Sequence, residues 1–496
     1  MNLVPFLAAR EFFNSLAFFR PESVLCATIL AVILADALFQ GSRKIVTGLA
    51  LFGTGAAFLL GLPAFGAPEG EMPIFSGMLV ADGMTAYFRA VLLLAAFVSI
   101  LLALPSRELR GRGLGEFYAL LLSVALGTVL LAGASNLLMV YLALELVSVP
   151  SFVLVAYDRG DRAGTEAALK YVLVGATSTG IMLFGITLLF GFTGTYDLGA
   201  LGEVLAGRVF AGADAWLVLV AGVMVLAGFA FKIAAAPFHF WAPDVYTGAT
   251  APVAAFLTVG PKAAGFAALL RFLQIGTAGG QGIRWWSLLW VIAILTMTVG
   301  NLGAFFQNNL KRLLGYSSIA HAGYMLMGAV ALSDQGTQAI LLYLAIYLTM
   351  NLGAFLTVIL LHRETGSFDL RDYRGLARSS PWMTLALAVF FFSLIGIPPF
   401  AGFWGKYYLF VAVIQKGYIG LAVAGALNTI LAVFYYARVI KTMVLEEAEK
   451  PAPRVGVGPA AGILVTALAL PNILFLVVFW GPLHELVVGY GHFWRP

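Results

Sequence analysis

Charged side chains are scarce in this chain of 496 residues: Asp, Glu, Lys and Arg make up 11% of it against 61% hydrophobic residues. That balance excludes a water-soluble fold, whose surface it could not cover. Cysteine is almost absent. The single Cys26 excludes an intrachain disulfide and a cysteine cluster for zinc or iron–sulfur ligation. Long polar stretches are missing too, which leaves no room for a soluble nucleotide-binding module. The opening MNLVPFLAAREFF lacks a basic head followed by an apolar core and a small-residue cleavage site, and reads as an interfacial segment before a retained first span. The net charge of +5 would suggest nucleic-acid binding in a soluble protein. Here the distribution of the basic residues carries the information instead.

What the chain has in abundance is apolar runs of about 18 to 25 residues, the length of a helix that crosses a hydrocarbon core about 30 Å thick. About fourteen follow one another, beginning near Pro21, Lys44, Met84, Glu116, Asn136, Glu166, Trp216, Ala251, Trp285, Leu313, Gln338, Pro381, Tyr418 and Pro459. The expected class is an all-α polytopic membrane protein. Odd-numbered connections carry 17 Lys and Arg, among them Arg43, Arg107, Arg110, Arg112, Arg159, Lys311, Arg312, Arg374 and Lys450; the other side carries 7, namely Arg10, Arg20, Arg208, Arg271, Arg284, Lys416 and Arg495. The positive-inside rule then puts both termini on the outer side.

Two segments carry proline where a spanning helix should continue: FKIAAAPFHFWAPDVY from Phe231 and FSLIGIPPFAGFWGKYYLF from Phe392. Proline removes a donor and clashes with the preceding turn, so helices 7 and 12 should break, at Pro237 and at Pro398–Pro399. Backbone groups freed at that depth must face protein or a wet cavity. The breaks echo each other, Pro237-Phe238 preceding Phe240-Trp241 and Pro399-Phe400 preceding Phe403-Trp404. EAALKY from Glu166 likewise echoes QAILLY from Gln338. The matches predict two five-helix repeats, residues 116–276 and 277–444, between an N-terminal part (1–115) and a C-terminal helix and tail (445–496). Five is odd, so the copies should be inverted, with an ion or substrate path at their interface. The longest connections, Phe192 to Ala215 and His362 to Ser380, have room for short surface helices.

Glu145, Lys232, Lys262 and Lys406 lie deep within apolar runs, with Lys170 nearer an edge. A charge at the bilayer centre costs about 2.5–3.5 kcal/mol, so these residues are candidates for moving ions. Lysine can also snorkel toward water or cap the carbonyls exposed by a broken helix, and Lys170 suits an interfacial position. His239 and His321 are candidate relay groups or hydrogen-bonded core residues. An amine in a poor dielectric responds to a nearby carboxylate, which makes a pairing of Glu145 with Lys232 the expected switch.

The strings LALELVSVPSF around Glu145, FKIAAAPFHFWAPDVYTGA around Lys232, GPKAAGF around Lys262 and GIPPFAGFWGKYYLF around Lys406 closely resemble the N-type antiporter-like membrane subunits of bacterial proton-pumping NADH:quinone oxidoreductase, respiratory complex I. The resemblance spans nearly the whole chain. It implies fourteen helices, two inverted repeats, and broken helices 7 and 12. By motif it makes Glu145 the fifth-helix carboxylate, Lys232 its seventh-helix partner, Lys262 the central eighth-helix lysine and Lys406 the twelfth-helix group leading outward, with Lys170 on the inward route. It implies proton translocation across the bacterial plasma membrane, with NADH, FMN, iron–sulfur clusters and quinone bound in partner subunits and no cofactor in this chain. M-type and K-type subunits and lipid are the implied neighbours. A subunit of a multisubunit sodium/proton antiporter is the alternative, and a quinone site at an aromatic, proline-rich break a third reading.

Overall fold

A computed structural model describes residues 12–39, 42–62, 70–110, 113–158, 160–206, 213–275, 285–447, 454–492 and 494. Most of the N-terminal segment, and Arg10, Arg112, Arg159, Arg208, Arg284, Lys450 and Arg495 of the charge count, lie outside them.

The described residues are almost entirely helical. The chain runs through α1 (Arg20–Leu38), α2 (Arg43–Leu60), a hairpin of β1 (Met72–Ile74) and β2 (Leu79–Ala81), α3 (Gly83–Ala103), α4 (Leu114–Gly133), α5 (Leu137–Val155) and α6 (Arg162–Thr193). It continues through α7 (Leu198–Ala206), α8 (Ala213–Ile233), α9 (Trp241–Gly248), α10 (Ala251–Gln274), α11 (Trp285–Phe305), α12 (Leu310–Val330) and α13 (Asp334–Thr365). Last come α14 (Leu376–Ser379), α15 (Pro381–Ile395), α16 (Ala401–Gln415), α17 (Ile419–Val444), α18 (Pro459–Ile473) and α19 (Trp480–Tyr490). Eleven of these helices are long and apolar enough to cross a membrane, or twelve if α18 and the 77° bend after it form one span with α19. α12 falls short because Lys311, Arg312, Ser317, Ser318 and His321 dilute its apolar content. α15 is only 15 residues long, because the chain breaks after Ile395.

Both proline breaks are present. α8 ends at Ile233 and α9 starts at Trp241; α15 ends at Ile395 and α16 starts at Ala401. The peptide bonds before Pro237 and Pro399 are both cis. α7 and α14 occupy the two long connections.

α10 is the axis of the molecule. Its span is completely enclosed by other helices, whereas the spans of α1 and α2 are one-third buried. Alanine and glycine let its neighbours approach closely, the device by which helices associate in lipid. At Gly265 an added Cβ would come within 2.7 Å of Ile233 Cγ2 on α8.

α6 and α13 are each 32 residues long, about 48 Å, and each stops at a left-handed glycine, Gly194 and Gly366. The residues after these stops form matching clasps. Leu137 N donates to Tyr196 O and Leu198 N to Ser135 O, bridging Asn136 and Asp197. Leu310 N donates to Phe368 O and Leu370 N to Asn308 O, bridging Asn309 and Asp369. The first clasp adjoins the β-hairpin at the start of α3, through the Leu79–Ala134 bridge and the Ser135 hydroxyl on Gly77 O. The second lies near the connection after α3, where Lys311 binds Glu108. The two clasps therefore stand at opposite ends of α3.

A buried ion pair ties α3 to α10. Asp82 caps the α3 N-terminus by accepting from Thr85 N, and takes both terminal nitrogens of Arg271 at 3.0 and 2.9 Å. Arg271, expected from the sequence in an outer connection, is instead a buried helical residue. Burial opposes the charged form of Asp82, yet Arg271 and the bonds to Thr85 hold its carboxyl below the ordinary carboxylate value.

Candidate functional site

Of the lysines singled out from the sequence, Lys232, Lys262 and Lys406 are sealed inside the bundle, at 2%, 1% and 3% exposed; Lys311, at the start of α12, is buried as well but paired with Glu108. None snorkels. Lys262 cannot, because no residue of its span reaches the lipid face.

Each amine of Lys232, Lys262 and Lys406 rests on a neutral acceptor. Lys232, next to last in α8, donates to Ser148 Oγ of α5 at 2.7 Å. Lys262, midway along α10, donates to Ser318 O and Oγ of α12 at 2.7 and 2.9 Å. Lys406, on α16 just after the second break, donates to Ile395 O at 2.8 Å, the last carbonyl before that break, and stands 4.3 Å from the centre of the Tyr324 ring. Carbonyls freed by the interruption thus serve a charged group, as backbone exposed at that depth requires. Glu145, half-buried near the middle of α5, lies within electrostatic reach of Lys232, whose direct bond goes to Ser148 three residues further on.

α12 links two of the lysines. Ser318, His321 and Tyr324 follow one another every three residues along one side of it. Ser318 holds Lys262, Tyr324 faces Lys406, and His321 lies between them within electrostatic reach of both amines. His321 Nδ1 bonds the Tyr343 hydroxyl at 2.6 Å and its ring packs on Tyr347. The Lys232 stem packs against Gly265 of α10, three residues after Lys262.

The remaining sequence candidates are placed differently. Lys170 is 44% exposed and pairs with Glu166 at 2.7 Å and Asp244 at 2.9 Å, and Arg312 also binds Asp244. His239 is buried within the first break beside Phe240, its Nδ1 without a hydrogen-bond partner. Sequence reasoning missed Ser148, Ser318, Tyr324 and Tyr343, since a hydroxyl in an apolar helix gives no signal unless its partner is known. Among the described residues no cluster of His, Cys, Asp or Glu forms a metal site.

Residues 134–432 match the sequence profile of the NADH:quinone oxidoreductase/Mrp antiporter transmembrane family. The chain is 43% identical to an Anaeromyxobacter NADH-quinone oxidoreductase subunit N, covering 95% of this chain and 96% of that one. It is 39% identical to a Chlorobium chlorochromatii subunit N, covering 94% and 92%. Among solved structures, a chain of Thermus thermophilus respiratory complex I with bound aureothin superposes with a TM-score of 0.77 at 33% identity, covering 94% of this chain and 99% of that one. A chain of the Mrp complex from Dietzia, at 21% identity and a TM-score of 0.80 over 96% and 97%, shares the fold. The chain belongs to the NADH-quinone oxidoreductase subunit N family.

Proposed function

We propose that this chain is a proton-translocating membrane subunit of NADH:quinone oxidoreductase, moving protons along Glu145, Lys232, Lys262 and Lys406, with His321 as relay and Lys170 and His239 as accessory groups. Redox chemistry in partner subunits drives it. The observation that carries this reading is the neutral partner of each of the three lysines Lys232, Lys262 and Lys406. A hydroxyl or carbonyl lets an amine keep its hydrogen bond with or without its proton, whereas a fixed carboxylate partner would hold the proton in place. Each lysine can therefore exchange its proton as charge nearby changes, Glu145 supplying that charge for Lys232. The buried hydroxyls of Tyr246 and Tyr347, without protein partners, suit water between the fixed groups.

The full architecture is fourteen spans: the eleven long helices, the bent C-terminal pair, α12, and α15 with α16 as one broken span. Two repeats, 116–276 and 277–444, are inverted. The matching clasps at opposite ends of α3 support the inversion, as do the two 32-residue helices that end alike. The arginine-rich side faces the cell interior and both termini face outward, in the bacterial inner membrane. M-type and K-type subunits are the neighbours, and NADH, FMN, iron–sulfur clusters and quinone reside in other subunits.

Purification through this chain in mild detergent, followed by reconstitution in sealed vesicles, tests the reading. We expect the redox subunits to co-purify and NADH to drive proton movement without added sodium. Co-purification with antiporter subunits alone and sodium-dependent proton exchange would establish the Mrp-type alternative.

A further inference from the structure

A half-buried carboxylate that the path above does not use sits at the end of α3. Glu108 lies in the connection after that helix. Its Oε2 accepts from Ala251 N, the first amide of α10, at 2.7 Å, and its Oε1 accepts from Lys311 Nζ at 3.0 Å. Lys311 also donates to Ala249 O at 2.9 Å and lies over the Phe368 ring. The side chains of Glu108 and Lys311 are 19% and 6% exposed, so the carboxylate is the wetter of the two. Arg107 and His362 lie within electrostatic reach of this corner, on the arginine-rich side of the bundle.

From this pair a line of hydroxyls leads inward. Thr250, between the two residues whose backbone the pair grips, has a buried hydroxyl with no partner. Tyr246, one turn earlier, has another; it faces Ser318 without a closed hydrogen bond. Lys311 and Ser318 are seven residues apart on α12, about 10 Å along its axis. Gly315 between them leaves space for the Tyr246 ring, which an added Cβ would approach to 3.0 Å. Ser318 in turn holds Lys262. Buried hydroxyls without partners are costly, and a native structure that keeps two in a row between a wet carboxylate and an enclosed lysine calls for a reason.

We propose that Glu108 and Lys311 form the aqueous inlet through which Lys262 is reprotonated. Glu108 takes a proton from water at the arginine-rich face. The neutral carboxyl loosens its hold on Lys311, and the proton passes over Thr250, Tyr246, Ser318 and intervening water to the uncharged Lys262 amine, leaving Glu108 a carboxylate again. The inference rests on the proton-translocating reading of Lys262.

The test uses the intact complex in sealed vesicles, scoring protons moved per NADH oxidised. We expect Glu108→Gln to lower this yield severalfold and Glu108→Asp to restore most of it. Thr250→Val and Tyr246→Phe, which delete only the unpartnered hydroxyls, should each lower the yield with assembly unimpaired; a purely structural role predicts no loss, since removing an unsatisfied buried group is neutral or stabilising. If Glu108→Gln does not assemble, these two hydroxyl variants decide the matter. An unchanged yield in both overturns the inlet. Lys262→Ala is measured alongside: a full yield there overturns the translocation reading itself, whereas a lost yield there with wild-type yields in the hydroxyl variants overturns the inlet alone.

Discussion

Ser318 offers Lys262 two oxygens at once, so the central lysine is positioned by one residue. Ser318→Ala keeps the backbone acceptor and removes the hydroxyl; a hydrogen bond to a charged group contributes about 1.5–3 kcal/mol, so on the proposed path proton transfer through Lys262 should slow by at least about tenfold. Time-resolved proton uptake by vesicles checks this, and an unaltered rate would show that the hydroxyl only fills space. Glu145→Gln should lower the proton yield without disturbing the Lys232–Ser148 bond, because the carboxylate lies within electrostatic reach of Lys232 while the direct bond goes to Ser148. An unchanged yield would count against Glu145 as the charge that governs Lys232. The lysines themselves were legible in the sequence because an amine in a long apolar run is conspicuous. Their partners were not: Ser148 and Ser318 resemble ordinary helix serines, and backbone carbonyls such as Ile395 O carry no sequence signature at all.

At the scale of elements, the prolines marked both broken helices, while the close contacts that stabilise the breaks depended on fold. Gly402 is one such contact: a Cβ there would lie 1.7 Å from Ser393 O, and its amide donates to Ser393 Oγ. Gly402→Ala must therefore displace α16 from α15, and overpacking of this kind costs about 1–3 kcal/mol or more. Thermal unfolding of the purified complex should show the loss, and an unchanged midpoint would mean that the break is loosely packed. The Asp82–Arg271 clamp gives a pH signature. The Asp82 carboxyl is held below its ordinary value of 3.8, so its stabilising contribution is complete above that value and is lost as pH falls through the lower folded value. Asp82→Asn should lose that leg of the acid denaturation profile and cost about 3–5 kcal/mol by leaving Arg271 buried without its partner. Coincident profiles below pH 3.8 for the two proteins would contradict this account. The sequence placed Arg271 in a connection because charge counting has no access to a partner 189 positions away.

For the whole molecule, each expected start lies within four residues of the start of a helix, and eleven or twelve of those helices are long and apolar enough to cross a membrane, since apolar periodicity and length are local properties. The β-hairpin before α3 escaped notice because its strands are three residues each. The clasps were half visible: Gly194-Thr195-Tyr196-Asp197-Leu198 and Gly366-Ser367-Phe368-Asp369-Leu370 are a third internal echo, whose meaning emerges only when each is seen bonded to the start of another helix. Long-range placement also explains the central feature, three enclosed amines of which Lys262 and Lys406 are linked along α12 while Lys232 rests on α5. Protons moved per electron by the Lys262→Ala complex in sealed vesicles test that feature most directly. The yield should fall while oxidation of NADH by artificial acceptors continues; a wild-type yield in that variant would remove Lys262 from the path.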